Sequence, residues 1–113
     1  MRGQTIRTIV ANAKGLEQRK EAIGRFMQAY RESIDYMYGN DPRVFKDYAA
    51  FAGVPEALAR RVRDEFFPRS LVYPDEIKGL DSLMNDAVEL KFISTPLTKA
   101  QLAELVQLQV PQK

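Results

Sequence analysis

Apolar positions recur at three- and four-residue spacing over most of this chain, and Gly, Pro, Asn and Asp cut the stretches apart. Ile23, Phe26, Met27, Tyr30, Ile34, Met37 and Tyr38 form one continuous stripe, which marks an amphipathic helix. It predicts a helix over 14–38, begun between Asn12 and Gly15 and stopped by Gly39. Gly24 lies inside it at a cost of about 1 kcal/mol relative to Ala, which the close approach of another helix would explain. Asp41-Pro42 is a restart signal, a capping side chain followed by a proline in the first turn. The helix it opens, 42–52, carries Val44, Phe45, Tyr48, Ala49 and Ala52 and stops at Gly53. Pro55 opens a helix over 55–66, with Val54, Leu58, Val62 and Phe66 at four-residue intervals, and Pro68 closes it.

The pattern then loosens. Residues 69–80 read as irregular, with a single turn at Tyr73-Pro74-Asp75 and a break at Gly79. Asp81 caps a helix over 81–92 with Leu80, Leu83, Met84, Ala87 and Val88 facing inward, and Thr95-Pro96 ends that segment. Thr98 and Gln101 have capping-box spacing, with Leu97 placed to staple onto Leu102, and so predict a last helix over 99–108. Only Thr5–Ala11, TIRTIVA, departs from this grammar. Being short and β-branched, it predicts a strand over 5–11, yet no partner strand is evident elsewhere, and a lone strand leaves its edges unsatisfied. The expected class is therefore mainly α: about five helices and one short N-terminal strand in a single unit of 113 residues.

Composition narrows the chemistry. The chain has no His, Cys or Trp, so thiolate chemistry, zinc–thiolate sites and the usual neutral-pH proton carrier are excluded. The net charge of +2 is unevenly spread. Residues 1–31 carry seven basic groups against Glu17 and Glu21, and the remainder carries ten against thirteen acidic ones. Such a front end can attract nucleic acid or a membrane surface, but its signs alternate and no aromatic platform interleaves them. Arg60, Arg61 and Arg63 form the sharpest basic cluster. It reads either as phosphate contact or as a self-neutralised helix face, with Glu56 four residues before Arg60 and Asp64 and Glu65 directly after; the second reading is favoured. Tyr30, Tyr36, Tyr38, Tyr48 and Tyr73 could stack on a ligand, although Tyr30, Tyr38 and Tyr48 fall on core stripes. Asp75 and Glu76 read as charges complementing a helix N-terminus rather than as acid–base groups. No phosphate-cradling glycine loop is present. No catalytic, cofactor-binding or metal-ligating residue is predicted, and ligand-binding residues stay unassigned.

Three segments, IVANAKGLEQRKEAIGRFMQAYRESIDYMYGND (9–41), YAAFAGVPEALARRVRDEFFP (48–68) and GLDSLMNDAVELKFISTPLT (79–98), together resemble the C-terminal part of periplasmic substrate-binding proteins of ABC importers. The likeness is to the nitrate, sulfonate and taurine branch, which shares its fold with the thiamine-pyrimidine family. The resemblance covers nearly the whole chain; each segment alone is helix and turn grammar, and their order carries the specificity. It implies two α/β lobes that close on a small solute and dock on a membrane permease, of which this chain matches only the last portion. The family's ligand loops lie mainly in the part without a counterpart here, so no binding residue is carried over. A non-catalytic fragment or remnant of a solute-uptake protein is the resulting expectation, with homo-oligomerisation or strand exchange covering the exposed strand edge. A small helical interaction module, for protein or nucleic acid, is the alternative. An enzyme of the thiamine-pyrimidine type would rely on histidine, which is missing. The resemblance implies the periplasm, although MRGQTIRTIVANAK is too short and polar in its apolar part for an export signal; a free-standing product would be cytoplasmic.

Overall fold

The computed structural model describes residues 4–5 and 7–107. Among them are seven helices: α1 (Ala13–Gln18), α2 (Lys20–Met37), α3 (Arg43–Ala52), α4 (Glu56–Phe66), α5 (Arg69–Val72), α6 (Leu80–Glu89) and α7 (Lys99–Leu105). The mainly helical class is as expected. The strand is not formed: residues 7–11 adopt neither helix nor strand, and Ile6 lies outside the described residues. The physical reason is the one that made the strand anomalous, since strand geometry without a neighbour leaves its hydrogen-bonding groups unanswered.

The long first helix is divided. Asn12 accepts hydrogen bonds from the Lys14 and Gly15 N–H groups and so caps α1, and Arg19 leaves helical geometry at φ −125°, ψ 28° before α2 begins. Nothing lies within 4 Å of a Cβ built at Gly24, so the expected close helix approach is not made there. Asp41 accepts from the Arg43 N–H at 2.9 Å and Gly53 closes α3 in the left-handed region at φ 67°, as the turn residues foretold. Residues 69–80 are less irregular than expected, for α5 supplies one helical turn. Gly79, left-handed at φ 76°, precedes α6, which puts Asp81 in the first turn rather than at the cap. That helix ends at Glu89, not 92, because Lys91 swings to φ 62° while the Phe92 and Ile93 N–H groups return to the Ala87 carbonyl. The Thr98–Gln101 capping box is complete, and α7 stops at Leu105; residue 108 lies outside the described residues.

Helix packing is sparse. α1 packs on α2 and α3 packs on α4, and these are the substantial helix–helix contacts among the described residues. The buried apolar side chains among the described residues are Met27, Ile34, Phe45, Ala49 and Ala59. Phe45, Ala49 and Ala59 make the core of the α3–α4 hairpin, with Val54 against it. Because α3 buries only its Phe45–Ala49 edge, Tyr48 turns outward and is 52% exposed, contrary to its expected core position. Phe51, Phe92 and Val10 are 80–89% exposed, and Leu83, Leu90, Leu105 and Phe66 are more than half exposed. The radius of gyration is 17.0 Å, against about 13 Å for a compact chain of this length. The accessible surface is 9340 Å², against roughly 6,300 Å² for a compact protein of this mass.

Two outcomes follow. Ile34, 2% exposed, is the largest fully enclosed side chain, so Ile34→Ala should lower unfolding stability by about 2–4 kcal/mol in urea titration, whereas Phe51→Ala should change it by less than about 0.5 kcal/mol. The Arg43 guanidinium and N–H bonded to Asp41 hold its carboxyl down from 3.8 to about 2. A depressed folded-state pKa gives stability that is present above 3.8 and lost as pH falls through 2. Carboxyl NMR titration should therefore place the Asp41 midpoint near 2 in the native chain and return it toward 3.8 in Arg43→Ala.

Candidate functional site

The features with most chemistry lie along one side of α2, where the returning chain from Phe67 to Asp75 is fastened to it. Arg31 is 6% exposed and donates from Nε and Nη2 to Asp75 Oδ1 at 2.7 and 2.6 Å. One turn on, Asp35 accepts from Arg69. At the end of the helix the Tyr38 hydroxyl donates to the Phe67 carbonyl, and Arg63 Nη1 donates to the Met37 carbonyl at 2.8 Å. Positions 31, 35 and 38 share one helix face. Their partners run in the reverse order, 75, 69 and 67, so the return segment lies antiparallel to α2. Burial raises the Tyr38 hydroxyl above 10.0, with the Arg63 charge opposing. Asp35 holds the Arg69 guanidinium more firmly protonated than usual.

Each candidate from the sequence has a place in this arrangement. Asp75 is not at a helix N-terminus; it sits in an irregular stretch and answers Arg31. Glu76 lies 3.4 Å from Lys78. Arg60, Arg61 and Arg63 do not converge. The Arg60 and Arg63 guanidinium carbons stand 4.0 and 4.4 Å from the centre of the Phe45 ring, which is cation–π and stacking geometry. Arg61 faces away and pairs with Glu65 at 3.0 Å. Arg60 therefore covers the hairpin core instead of pairing with Glu56. Tyr38 and Tyr73 carry arginines, Arg63 at 5.3 Å and Arg69 at 4.2 Å from their ring centres. Tyr30 packs near Phe26, with ring centres 6.3 Å apart, and Tyr36 is 48% exposed.

Two open grooves accompany these elements. One, of about 320 Å³, is lined by Arg69, Ser70, Tyr73, Asp75, Glu76 and Lys78. Its size is at the low end for small-ligand sites, but its charges are already engaged: Arg69 by Asp35, Asp75 by Arg31 and Lys78 by Glu76. The other, of about 330 Å³, lies beyond α6 between Val88 and Ser94, with Phe92 on its wall. Among the described residues no group of three or more carboxylates gathers to hold a metal ion, and no helix is long and apolar enough to cross a membrane. What the face of α2 does chemically is brace: it exchanges charge for position along a seam.

A further contact escaped the sequence reading. The Thr5 N–H donates to the Lys78 carbonyl at 3.1 Å, and the Lys78 N–H donates to the Thr5 hydroxyl at 2.7 Å. Gln4 lies over Gly79, where a Cβ would meet its side chain at 2.4 Å. The left-handed glycine thus serves both the turn and the close approach of the N-terminal segment. Comparison with protein-family models, with curated proteins and with solved structures finds no match for this chain.

The seam makes a stability prediction. Asp75→Asn removes the charge that answers the enclosed Arg31 guanidinium and should cost about 1–3 kcal/mol of unfolding free energy. The exposed Glu65→Gln, which breaks the Arg61 pair, should cost less than about 1 kcal/mol. Urea melts of the two variants check the difference.

Proposed function

We propose that this chain is a non-catalytic C-terminal brace of the kind found in ABC-importer solute-binding proteins of the nitrate, sulfonate, taurine and thiamine-precursor type. In that role its helices buttress a two-lobed receptor whose solute cleft lies in the portion without a counterpart here, and the receptor delivers its solute to a membrane permease in the periplasm. The observation that carries the reading is the uncovered apolar surface. Phe51, Phe92 and Val10 are each at least 80% exposed, and the radius of gyration is 17.0 Å, against about 13 Å for a compact chain of this length, which supports a reading in which further surface completes the chain. The order of helices and turns along the chain supports the same assignment. A nucleic-acid module gains little support, since the sharpest basic cluster is divided between Phe45 and Glu65.

Alone, the chain should cover its apolar surface by associating with itself, and should bind such solutes weakly or not at all. Light scattering coupled to size exclusion, together with calorimetric titration of nitrate, taurine and an alkylsulfonate, tests both statements. Self-association without measurable solute binding is the expected result. A monomer that binds one of these solutes tightly overturns the reading.

A further inference from the structure

We infer that residues 7–20 bind the surface of an anionic lipid bilayer, with Ile9 and Val10 seated at headgroup depth and Arg7, Lys14, Arg19 and Lys20 on the lipid charge. The inference goes beyond the brace reading and uses residues that make none of the seam contacts.

The basic front end of the chain divides into engaged and available charge. Arg25 is answered by Glu21 at 2.8 Å, and the enclosed Arg31 is answered by Asp75. Arg7, Lys14, Arg19 and Lys20 are all exposed. None of these four forms an ion pair among the described residues. Glu17 is the one carboxylate between Arg7 and Lys20. On α1, Gly15 and Leu16 are half-buried while Ala13, Lys14, Glu17 and Gln18 are exposed, so Lys14 lies on the outer face of that helix. Four cations against one carboxylate are thus presented to an outside anion, and an anionic bilayer attracts such a segment.

The apolar contribution lies within the same stretch. Val10 is 89% and Ile9 45% exposed, and both stand between Arg7 and Lys14. Either charge or a small apolar contact alone holds a peripheral protein weakly, and the two together hold it firmly. The backbone sets the depth. Among the described residues, residues 7–11 make no backbone–backbone hydrogen bond, and hydrocarbon would leave their polar groups unanswered. The segment therefore stays in the hydrated headgroup layer. Consistent with a surface mode, no helix among the described residues is long and apolar enough to cross a membrane.

The same features disfavour other polyanions. Single-stranded nucleic acid is gripped by stacking its bases on aromatic rings, and residues 7–20 contain no aromatic residue. An acidic protein segment calls for a shaped groove, and the two open grooves described above lie elsewhere, at 69–78 and 88–94. A bilayer requires charge and aliphatic surface without a fixed shape.

Co-sedimentation of the full chain with phosphatidylcholine vesicles, with and without phosphatidylglycerol, tests the inference. Binding should require phosphatidylglycerol and fall as salt rises. Arg7→Gln and Lys14→Gln should each weaken it about five-fold, and Val10→Ser should do so about as much. Arg61→Gln, which removes the same charge from α4, should leave it unchanged. The chain has no tryptophan, so Val10→Trp supplies a unique indole whose emission should shift to the blue on these vesicles and be quenched by brominated lipid. All these side chains are exposed, and circular dichroism should show each variant folded as the native chain is. Absence of binding, equal weakening by Arg61→Gln and Arg7→Gln, an unshifted Val10→Trp emission, or tighter binding to an oligonucleotide than to the vesicles overturns the inference. Those results leave the brace reading standing, and tight solute binding, which removes the brace reading, leaves this one standing.

Discussion

The polar seam on α2 is the constraint on which the other placements depend. Arg31, Asp35 and Tyr38 stand on one helix face and take Asp75, Arg69 and Phe67 in reverse order. These contacts position the chain after α4, and with it the loop whose Lys78 holds Thr5. An exposed ion pair is worth little on its own. Arg31 differs because its guanidinium is enclosed, so its bonds to Asp75 are made out of bulk water, where a charge-assisted hydrogen bond counts for more than on the surface.

Apolar burial by contrast is thin. Five enclosed apolar side chains, two of them alanines among the α3–α4 core of three, are few for the described residues. Arginine stems and guanidinium planes cover Phe45 where a larger core would use leucine. α6 and α7 have sound local chemistry, a left-handed glycine before one and a complete capping box before the other. Their apolar stripes are only half covered: Leu80, Met84, Ala87, Val88 and Leu102 are half-buried, while Leu83 and Leu105 are more than half exposed. Local signals decide where helices form, but burial decides what holds them in place, and for these two elements the second condition is weakly met within the chain.

Much of the helix plan was legible because its boundaries are local. Pro42, Gly53, Pro55 and Thr98 each act through a turn or cap a few residues long. The break at Arg19 was not legible, since the apolar stripe begins only at Ile23 and no glycine or proline stands between Leu16 and Ala22 to mark an interruption. The early end of α6 depends on Lys91 taking a left-handed conformation that glycine usually holds. The seam could not be seen because its partners are 44, 34 and 29 residues apart, and no local rule pairs them. The Arg60–Phe45 and Arg63–Phe45 stacks had a weak signal in the three-residue spacing of the two arginines. The strand over 5–11 was drawn from composition alone, and composition does not supply a neighbour.

The central claim is that the C-terminal half of α2, α3 and α4 are held by the chain's own contacts, while α6 and α7 are only weakly held within it. Amide hydrogen exchange on the dilute chain tests it most directly. Slow exchange confined to the C-terminal half of α2, α3 and α4, with α6 and α7 exchanging nearly as fast as unfolded peptide and slowing as concentration rises, is the predicted result. Uniform, concentration-independent protection across α2, α3, α4, α6 and α7 would contradict it.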